Sequence, residues 1–288
     1  MSPGIRTLQG RPAISVAAPF TPLRAVQSLD EWALRIVPDF PTVLMVLCHI
    51  ATRLQQLHSA GVAHRDLKPA NVLWRPKHHN WTLIDFGCAA EIGACLAPCH
   101  CHAFGVHPSL LQALSNEGKS LRQPRTQARL SQRRQVAAAG VTAPLSFSLT
   151  YAPPETVAAH EAGQRTIISD AAADMWALGI ISFELLAMRR AFPRTLGRAA
   201  VTAQLAGRAP LPWEEGNFEL RPVPELRILR RSVLACLARD AAQRPTSAEL
   251  LAMWNNLFDA VTKDATAPAD GADASAAASR TLPGDGPA

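Results

Sequence analysis

The sequence contains few cysteines and no long hydrophobic run, and each of these features limits the classes of protein to which it can belong. Six cysteines among 288 residues are too few for a disulfide-stabilised scaffold, which favours a reducing compartment. No apolar segment approaches the roughly 20 residues that a membrane-spanning helix needs. The N-terminus has no compact apolar core with a cleavage site, so we do not expect a secretory signal. We therefore expect an intracellular, cytoplasmic protein that does not enter a membrane.

The composition is sufficient for one folded domain. Hydrophobic residues make up 48% of the chain and charged residues 18%, which allows a sizeable core. The net charge of +6 is mild and spread along the chain, so it predicts no specific nucleic-acid partner. Arg6, Arg11 and Arg24 precede the first acidic residue, a pattern that a transit peptide would also show.

The most informative stretch lies between residues 62 and 87 and concentrates several polar side chains. Asp66, Lys68 and Asn71 follow one another closely, and Asp85 comes after a short gap. Phosphoryl transfer from a magnesium nucleotide needs a carboxylate to accept a proton, a lysine to neutralise charge, and oxygen ligands for the metal. Asp66 suits the first role, Lys68 the second, and Asn71 with Asp85 the third.

The local sequence explains how these side chains would meet. Pro69 prevents a helix from continuing through this turn. Two short strands, 71–74 and 81–84, are predicted on either side of a polar turn at 76–80. A hairpin of these strands would bring Asp85 back beside Asn71.

Two motifs in this stretch identify a family. Residues 64–71 read H-R-D-L-K-P-A-N and residues 85–87 read D-F-G. They resemble the catalytic loop and the metal-binding motif of the eukaryotic protein kinase family, whose pattern they match without a substitution. The lysine and proline after Asp66-Leu67 resemble the serine/threonine type. The resemblance implies ATP and Mg²⁺ as cofactors, a protein as substrate, Asn71 and Asp85 as metal ligands, and Leu73 as a nucleotide contact.

Later motifs extend the resemblance along the chain. Residues 152–155 read A-P-P-E, close to the family's A-P-E, residues 174–179 read D-M-W-A-L-G, and residues 240–246 read D-A-A-Q-R-P-T. The family pattern implies that Asp174 braces the backbone of the His64-Arg65 turn. It also implies that Arg244 pairs with Glu155 and anchors the end of the activation segment.

Two further roles come from the resemblance. Ser148 occupies the position of a hydroxyl residue that contacts the catalytic aspartate and lysine. Arg65 resembles the arginine that binds a phosphorylated activation loop, and a phosphate on Ser146 or Thr142 would suit such a pair. A surface serine cluster without phosphate is the alternative, and the sequence does not distinguish them.

The resemblance predicts an α+β fold that is mainly helical, with short β-hairpins at the catalytic loop and a long activation-segment insert. Residues 1–258 would form a truncated kinase domain with a hinge near 13–20, a large C-terminal lobe and an insert at 88–147. No G-x-G-x-x-G loop and no V-A-I-K-like lysine occurs, so most of the N-terminal lobe is missing from the pattern. Residues 259–288, rich in Ala, Asp, Gly and Pro, are predicted to be a disordered tail.

The sequence predicts five helices. Residues 29–37 suit a short helix, and alternating three- and four-residue intervals give residues 42–58 and 169–188 one apolar face each. Residues 229–238 suit another helix. A capping box at 246–249 opens the last one.

The insert contains possible metal ligands. Cys95, Cys99, His100, Cys101 and His102 have a spacing compatible with zinc, with Cys88 as a distant contributor. Neighbouring ligands crowd a single tetrahedron, so a cysteine-rich loop without metal is the preferred interpretation.

Three functions remain in competition. A serine/threonine protein kinase is favoured by the complete catalytic loop. A catalytically incomplete, kinase-like binding or scaffold module is favoured by the missing N-terminal lobe. A small-molecule phosphotransferase would share the aspartate and asparagine, but Glu155, Asp174 and Arg244 are typical of a protein-substrate lobe.

Overall fold

The computed structural model describes residues 26–35, 38–93, 95–96, 148–164, 167–214 and 224–266. The hinge predicted at 13–20 lies outside these ranges. Thr142, Ser146 and the candidate zinc ligands from Cys99 to His102 lie outside them as well.

Two helices open the described chain, close to the positions that the sequence predicts. Helix α1 spans Leu29–Arg35 and helix α2 spans Phe40–Ser59. Asp39 caps α2 by accepting the N–H of Thr42 at 2.8 Å, and Pro41 lies in the first turn, where its missing N–H has no cost. Gly61, with φ 76°, follows the end of the helix, a backbone conformation that favours glycine. The predicted apolar face of α2 is buried, at Val43, Leu47, Ile50, Leu54 and Leu57.

Six short strands form three two-stranded sheets among the described residues. Strands β1 (Val62–Ala63), β2 (Val72–Arg75), β3 (Asn80–Leu83), β4 (Ala90–Glu91), β5 (Cys95–Leu96) and β6 (Ile167–Ile168) pair as β1–β4, β2–β3 and β5–β6, all antiparallel. The β2–β3 hairpin is the one predicted around the polar turn. Its register pairs Val72 with Leu83 and Arg75 with Asn80.

Five helices make up the described second half. They are α3 (Pro154–Glu161), α4 (Ala171–Ala187), α5 (Arg198–Leu205), α6 (Pro224–Cys236) and α7 (Ser247–Thr266). The spacing predicts one buried face for α4. The helix buries nearly its whole circumference, including Trp176, Ile180 and Phe183, so it is a central helix of the core. A Cβ on Gly179 would lie 2.9 Å from the Leu237 side chain, so glycine permits this close approach.

The last helix corrects the predicted domain boundary. The composition predicts a tail from residue 259, but α7 continues to Thr266. Val261 is only 8% exposed and follows Leu257 by one helical turn, so the apolar face persists past the predicted boundary. The predicted capping box is present, because Thr246 N–H donates to Glu249 at 2.8 Å and Glu249 N–H donates to Thr246 Oγ1 at 3.2 Å.

The described chain is therefore mostly helical with a few short strands, compatible with the predicted α+β class. Helices α2 and α4 contribute more buried apolar residues than any other described element. None of the described helices combines the length and apolar character that crossing a bilayer requires.

Candidate active site

The catalytic loop is the turn between β1 and the hairpin, and a buried carboxylate holds its backbone. Asp174, in the first turn of α4, accepts the N–H of His64 at Oδ2 and the N–H of Arg65 at Oδ1, both at 2.7 Å. Arg65 has φ 67°, a left-handed conformation that non-glycine residues rarely adopt. Two short hydrogen bonds donated by the loop backbone to one carboxylate thus stabilise a turn that Arg65 would not favour alone.

At this turn, Asp66, Lys68 and Asn71 meet Ser148 from a later segment of the chain, and we name these four residues the catalytic cluster. Lys68 Nζ donates to Asp66 Oδ2 at 2.6 Å and to Ser148 Oγ at 3.2 Å, and Ser148 Oγ donates to Asp66 Oδ1 at 3.1 Å. These three contacts close a triangle. Residues 80 positions apart in sequence are thereby brought together at one carboxylate.

Asn71 joins the cluster from the other side of the loop. Its Nδ2 donates to the backbone oxygen of Asp66 at 2.7 Å and to Asp66 Oδ2 at 3.3 Å. Both bonds use the amide nitrogen, so the carbonyl oxygen Oδ1 is the end of this side chain available to a cation. The same hydrogen bonds that stabilise the loop therefore orient the Asn71 side chain for binding a cation.

The hairpin brings Asp85 to the same end of the molecule. Ile84 N–H donates to the backbone oxygen of Asn71 at 2.9 Å, which extends the β2–β3 register, and Asp85 is the next residue. Asp85 has φ 61° and starts a short 3₁₀ turn without using its side chain as a cap. His64 supports this turn, since its Nε2 lies 3.1 Å from the Ile84 oxygen and its ring 5.1 Å from the Phe86 ring.

The donor atoms at this end of the hairpin suit magnesium. Mg²⁺ binds through one or two protein oxygens and keeps water or phosphate oxygens for its other positions. The Asn71 carbonyl oxygen and the Asp85 carboxylate are hard oxygen donors of that kind. Across the described ranges no group of three or more His, Cys, Asp or Glu residues gathers into a protein-only metal cage.

Leu73 lies at the outer face of the hairpin. Val72 and Trp74 point into the core, whereas Leu73 and Arg75 are half-buried on the opposite face. Leu73 forms a β-bridge with Ser28, and Trp74 N–H donates to the Gln27 oxygen at 2.9 Å. The chain segment before α1 therefore runs directly beside the position predicted to contact a nucleotide.

The structure brings Glu155 and Arg244 together in a two-pronged ion pair, the anchor pair. Arg244 Nη1 and Nη2 each lie 2.7 Å from one Glu155 carboxylate oxygen. The remaining guanidinium donors bind backbone oxygens of Ala172, Ala238 and Arg239 at 2.9–3.2 Å. The guanidinium stacks 5.1 Å from the Trp176 ring centroid, and its side chain is fully buried.

The other predicted residues are less fully described. Arg65 Nη1 donates to the Cys88 backbone oxygen at 3.2 Å, while its predicted phosphate partners lie outside the described ranges. Cys88 lies in the described range 38–93 and Cys95 belongs to β5, whereas Cys99, His100, Cys101 and His102 lie outside the described residues.

Two groups near the site were missed by sequence reasoning. His58 Nε2 lies 2.9 Å from Asp174 Oδ2, although a single histidine at a helix end gave no signal. Tyr151 OH donates to Glu184 at 2.9 Å and accepts from Arg190 at 2.6 Å. Burial raises the pKa of both Tyr151 and Glu184, and Arg190 offsets part of this effect. The sequence signal for this site is the spacing of polar residues in the catalytic loop. A loop shows no hydrophobic periodicity, so the pattern does not point to these two groups.

In contrast to Tyr151 and Glu184, Asp174 has a pKa that is lowered from its ordinary value. Burial raises it, but the hydrogen bond and charge of His58, the charge of His64 and the N–H of Arg65 lower it below the ordinary value. The fold therefore favours Asp174 as a carboxylate, the form that accepts all three hydrogen bonds.

Comparisons with known proteins agree on one family. The model of the protein kinase domain matches residues 36–103. Serine/threonine-protein kinase UCN of Arabidopsis thaliana is 31% identical over 152 residues, covering 49% of this chain and 36% of the relative. Human ribosomal protein S6 kinase alpha-2 is 39% identical over 74 residues, covering 23% of this chain and 10% of the relative. A protein kinase and PP2C-like domain-containing protein of Arabidopsis thaliana is 44% identical over 61 residues, covering 21% and 8%.

The chain thus spans about a third or less of the length of these relatives, and its matched segment contains the catalytic loop and the hairpin. The family match coincides with the part of the structure that assembles Asp66, Lys68, Asn71 and Asp85. These findings support membership of the eukaryotic protein kinase family, on the basis of a match that covers residues 36–103.

Proposed function

We propose that this chain carries the catalytic machinery of a serine/threonine protein kinase, which transfers the γ-phosphoryl group of ATP to a protein hydroxyl. The observation that carries the proposal is the triangle of Asp66, Lys68 and Ser148, with Asn71 bonded to the same aspartate. This arrangement combines a proton acceptor, a cation and a metal-ligating carbonyl within hydrogen-bond distances.

Asp66 acts as the base. Its carboxylate accepts the proton of the substrate hydroxyl while the hydroxyl oxygen bonds to the γ-phosphorus and the bond to the ADP oxygen breaks. The contacts from Lys68, Ser148 and Asn71 fix the carboxylate in one orientation, so it is aligned before the substrate arrives.

Lys68 supplies positive charge beside the reacting oxygen. Its side chain is 27% exposed, so the ammonium group can move from Asp66 towards a phosphoryl group without leaving a buried charge behind. Asn71 and Asp85 would hold Mg²⁺ through the amide carbonyl oxygen and the carboxylate. The bound ion would neutralise charge on the β- and γ-phosphates.

Serine and threonine as acceptors are favoured by Lys68, two residues after Asp66, and by the similarity to serine/threonine-protein kinase UCN. The same reasoning gives a protein substrate and a nucleotide as partners. An intracellular, cytoplasmic location is part of the proposal, since the buried cysteines Cys48 and Cys236 are free thiols.

The test is phosphoryl transfer by the full chain from Mg-ATP to itself or to a mixed protein acceptor, followed by mass spectrometry. Asp66→Asn should lower the transfer rate at least about a hundredfold, because it removes the base. Asp259→Asn is the matched control, since Asp259 is an exposed residue of α7, and it should keep the wild-type rate. Full activity in Asp66→Asn would disprove the assigned mechanism. Absence of transfer by the wild type would favour the kinase-like binding module.

A further inference from the structure

The loop between α4 and α5 carries a strong excess of positive charge. From residue 185 to residue 213 the chain contains five arginines and no acidic residue. Four of these arginines lie within positions 189–198, and we name them the arginine surface: Arg189, Arg190, Arg194 and Arg198. Arg194 and Arg198 are exposed, whereas the other two are half-buried. None of the four belongs to the catalytic cluster.

The inner end of the arginine surface is fixed by contacts within the fold. Arg190 Nη1 donates to the hydroxyl of Tyr151 at 2.6 Å and to Glu184 Oε2 at 3.1 Å. Asp30 of α1 is close enough to interact with the charge of Arg190 as well. These two acids offset much of the charge of Arg190, so this residue fixes the place of the surface and contributes little of its net charge.

The outer end provides the net charge. Among the residues that the structure describes, no carboxylate forms an ion pair with Arg194 or Arg198. Arg198 is the first residue of α5, whose N-terminus has no side-chain cap at Gly197 and no acidic residue in its first turn. The dipole of a helix adds partial positive charge at its N-terminus. The outer end of the surface therefore attracts anions.

One turn of the chain connects the arginine surface to the catalytic cluster. Tyr151, the partner of Arg190, donates its N–H to the backbone oxygen of Ser148 at 2.8 Å. Helix α5 packs against the same short 3₁₀ turn, and Ser148 itself binds Asp66. Three residues of a 3₁₀ turn advance about 6 Å, and an extended peptide advances about 3.3 Å per residue. A peptide with its hydroxyl at Asp66 therefore reaches the surface within a few residues.

We propose that the arginine surface binds acidic residues of the protein substrate, a few positions from the hydroxyl that accepts the phosphoryl group. The proposal rests on the proposed kinase function, because that function places the acceptor hydroxyl at Asp66. Guanidinium groups bind carboxylates through paired N–H donors, and complementary charge speeds the encounter of two proteins. Nucleic acid would also be attracted by arginines. The position of the surface beside the catalytic cluster favours a peptide.

The test is the binding of two fluorescently labelled peptides to the full chain, measured by fluorescence anisotropy. Each peptide has one serine, flanked on both sides by three aspartates in the first and by three asparagines of nearly the same shape in the second. The wild type should bind the aspartate peptide at least about fivefold more tightly at about 50 mM salt, the size expected for two exposed ion pairs. The difference should shrink at about 300 mM salt, because salt screens exposed charges.

The double variant Arg194→Gln/Arg198→Gln should abolish this preference by weakening the binding of the aspartate peptide alone. The matched control is Arg227→Gln/Arg231→Gln on α6, which also removes two exposed arginines four positions apart. The control lowers the net charge by the same amount and should retain the preference. Equal losses in the two double variants would show that only the net charge of the chain matters, and the proposal would fail.

Two further results would overturn the proposal. The first is equal affinity of the wild type for the aspartate and asparagine peptides. The second is a difference between the two double variants that occurs only with a single-stranded DNA oligonucleotide as the probe, because the surface would then recognise nucleic acid.

Phosphoryl transfer from Mg-ATP to the same peptides separates this proposal from the kinase function. Arg194→Gln/Arg198→Gln should raise KM for the aspartate peptide about fivefold and leave kcat unchanged, because the arginines touch none of the reacting groups. Transfer with equal KM for both peptides would retain the kinase function and reject the substrate preference. Selective binding of the aspartate peptide without transfer would reject the kinase function and retain the surface as a docking site for acidic protein segments.

Discussion

The catalytic cluster and the anchor pair are built from similar charged side chains but differ in the burial of their cation. Lys68 and Asp66 keep exposures of 27% and 12%, and each shares its contacts with Ser148. The Arg244 side chain is fully buried, and its donors are distributed over Glu155 and three backbone oxygens. The side chains of the catalytic cluster can exchange their hydrogen-bond partners. The guanidinium donors of the anchor pair are satisfied within the fold, so loss of this pair should lower stability before it affects catalysis.

The largest expected effect is on stability, at the anchor pair. Arg244→Ala removes a buried guanidinium that binds Glu155 and three backbone oxygens, and should lower the free energy of unfolding by about 3 kcal/mol or more. Denaturant unfolding followed by circular dichroism measures this loss.

The matched control is Arg208→Ala. Arg208 binds both oxygens of Glu161 at 2.9–3.0 Å, so the ion pair has the same two-pronged geometry, but its side chain is 58% exposed. Water solvates the remaining Glu161 carboxylate when such an exposed pair is broken, so we expect little change in the free energy of unfolding. Equal losses in the two variants would show that burial does not separate the two kinds of pair.

A smaller effect, on activity alone, is expected at the catalytic cluster. Ser148→Ala removes one hydrogen bond to the Asp66 carboxylate and one from Lys68, and should slow phosphoryl transfer about tenfold with unchanged unfolding free energy. Thr150→Ala is the control, because no contact joins this nearby hydroxyl to Asp66 or Lys68 in the part of the chain that the structure describes. If Ser148→Ala lowered the unfolding free energy as much as Arg244→Ala, the proposed difference between the catalytic cluster and the anchor pair would be contradicted.

The smallest effects are pH dependences of opposite sign at two buried carboxylates. The pKa of Asp174 is lowered in the fold, so its stabilisation is present above the unfolded value near 4 and is lost as pH falls below it. The pKa of Glu184 is raised, chiefly by burial, so its contribution is present at low pH and is lost as pH rises through the folded value.

Melting temperatures between pH 3 and 7 test both signs. The deficit of Asp174→Asn relative to the wild type should grow from pH 3 to pH 7, whereas Glu184→Gln should gain relative to the wild type over the same interval. Parallel curves for the two variants would contradict the assigned directions.

The parts of the fold that could be predicted are those with a local pattern. Helix α2 has a cap, a three-and-four apolar spacing and a terminal glycine, and the β2–β3 hairpin has two apolar runs around a polar turn. The meeting of Asp66, Lys68 and Asn71 could be predicted because phosphoryl-transfer chemistry would require these residue types at fixed spacing. Their meeting with Ser148 depended on the family resemblance, since 80 residues separate Lys68 from it.

The remaining features depend on tertiary contacts. Strands β1 and β4 have two residues each, too few to show an alternation, and they form because they pair with each other. The continuation of α7 beyond residue 258 results from burial of Val261 against the core, which a composition rich in alanine and aspartate concealed. His58 could not be singled out, because its role depends on Asp174, 116 residues away.

The most direct test of the central claim is Mg-ATP binding to the full chain by calorimetry. The account predicts magnesium-dependent binding that Asp85→Asn weakens at least about tenfold, because one charged metal ligand is lost. The matched variant Asp259→Asn should bind like the wild type. Binding that Asp85→Asn leaves unchanged, or no binding by the wild type, would contradict the assignment of Asn71 and Asp85 as the magnesium site.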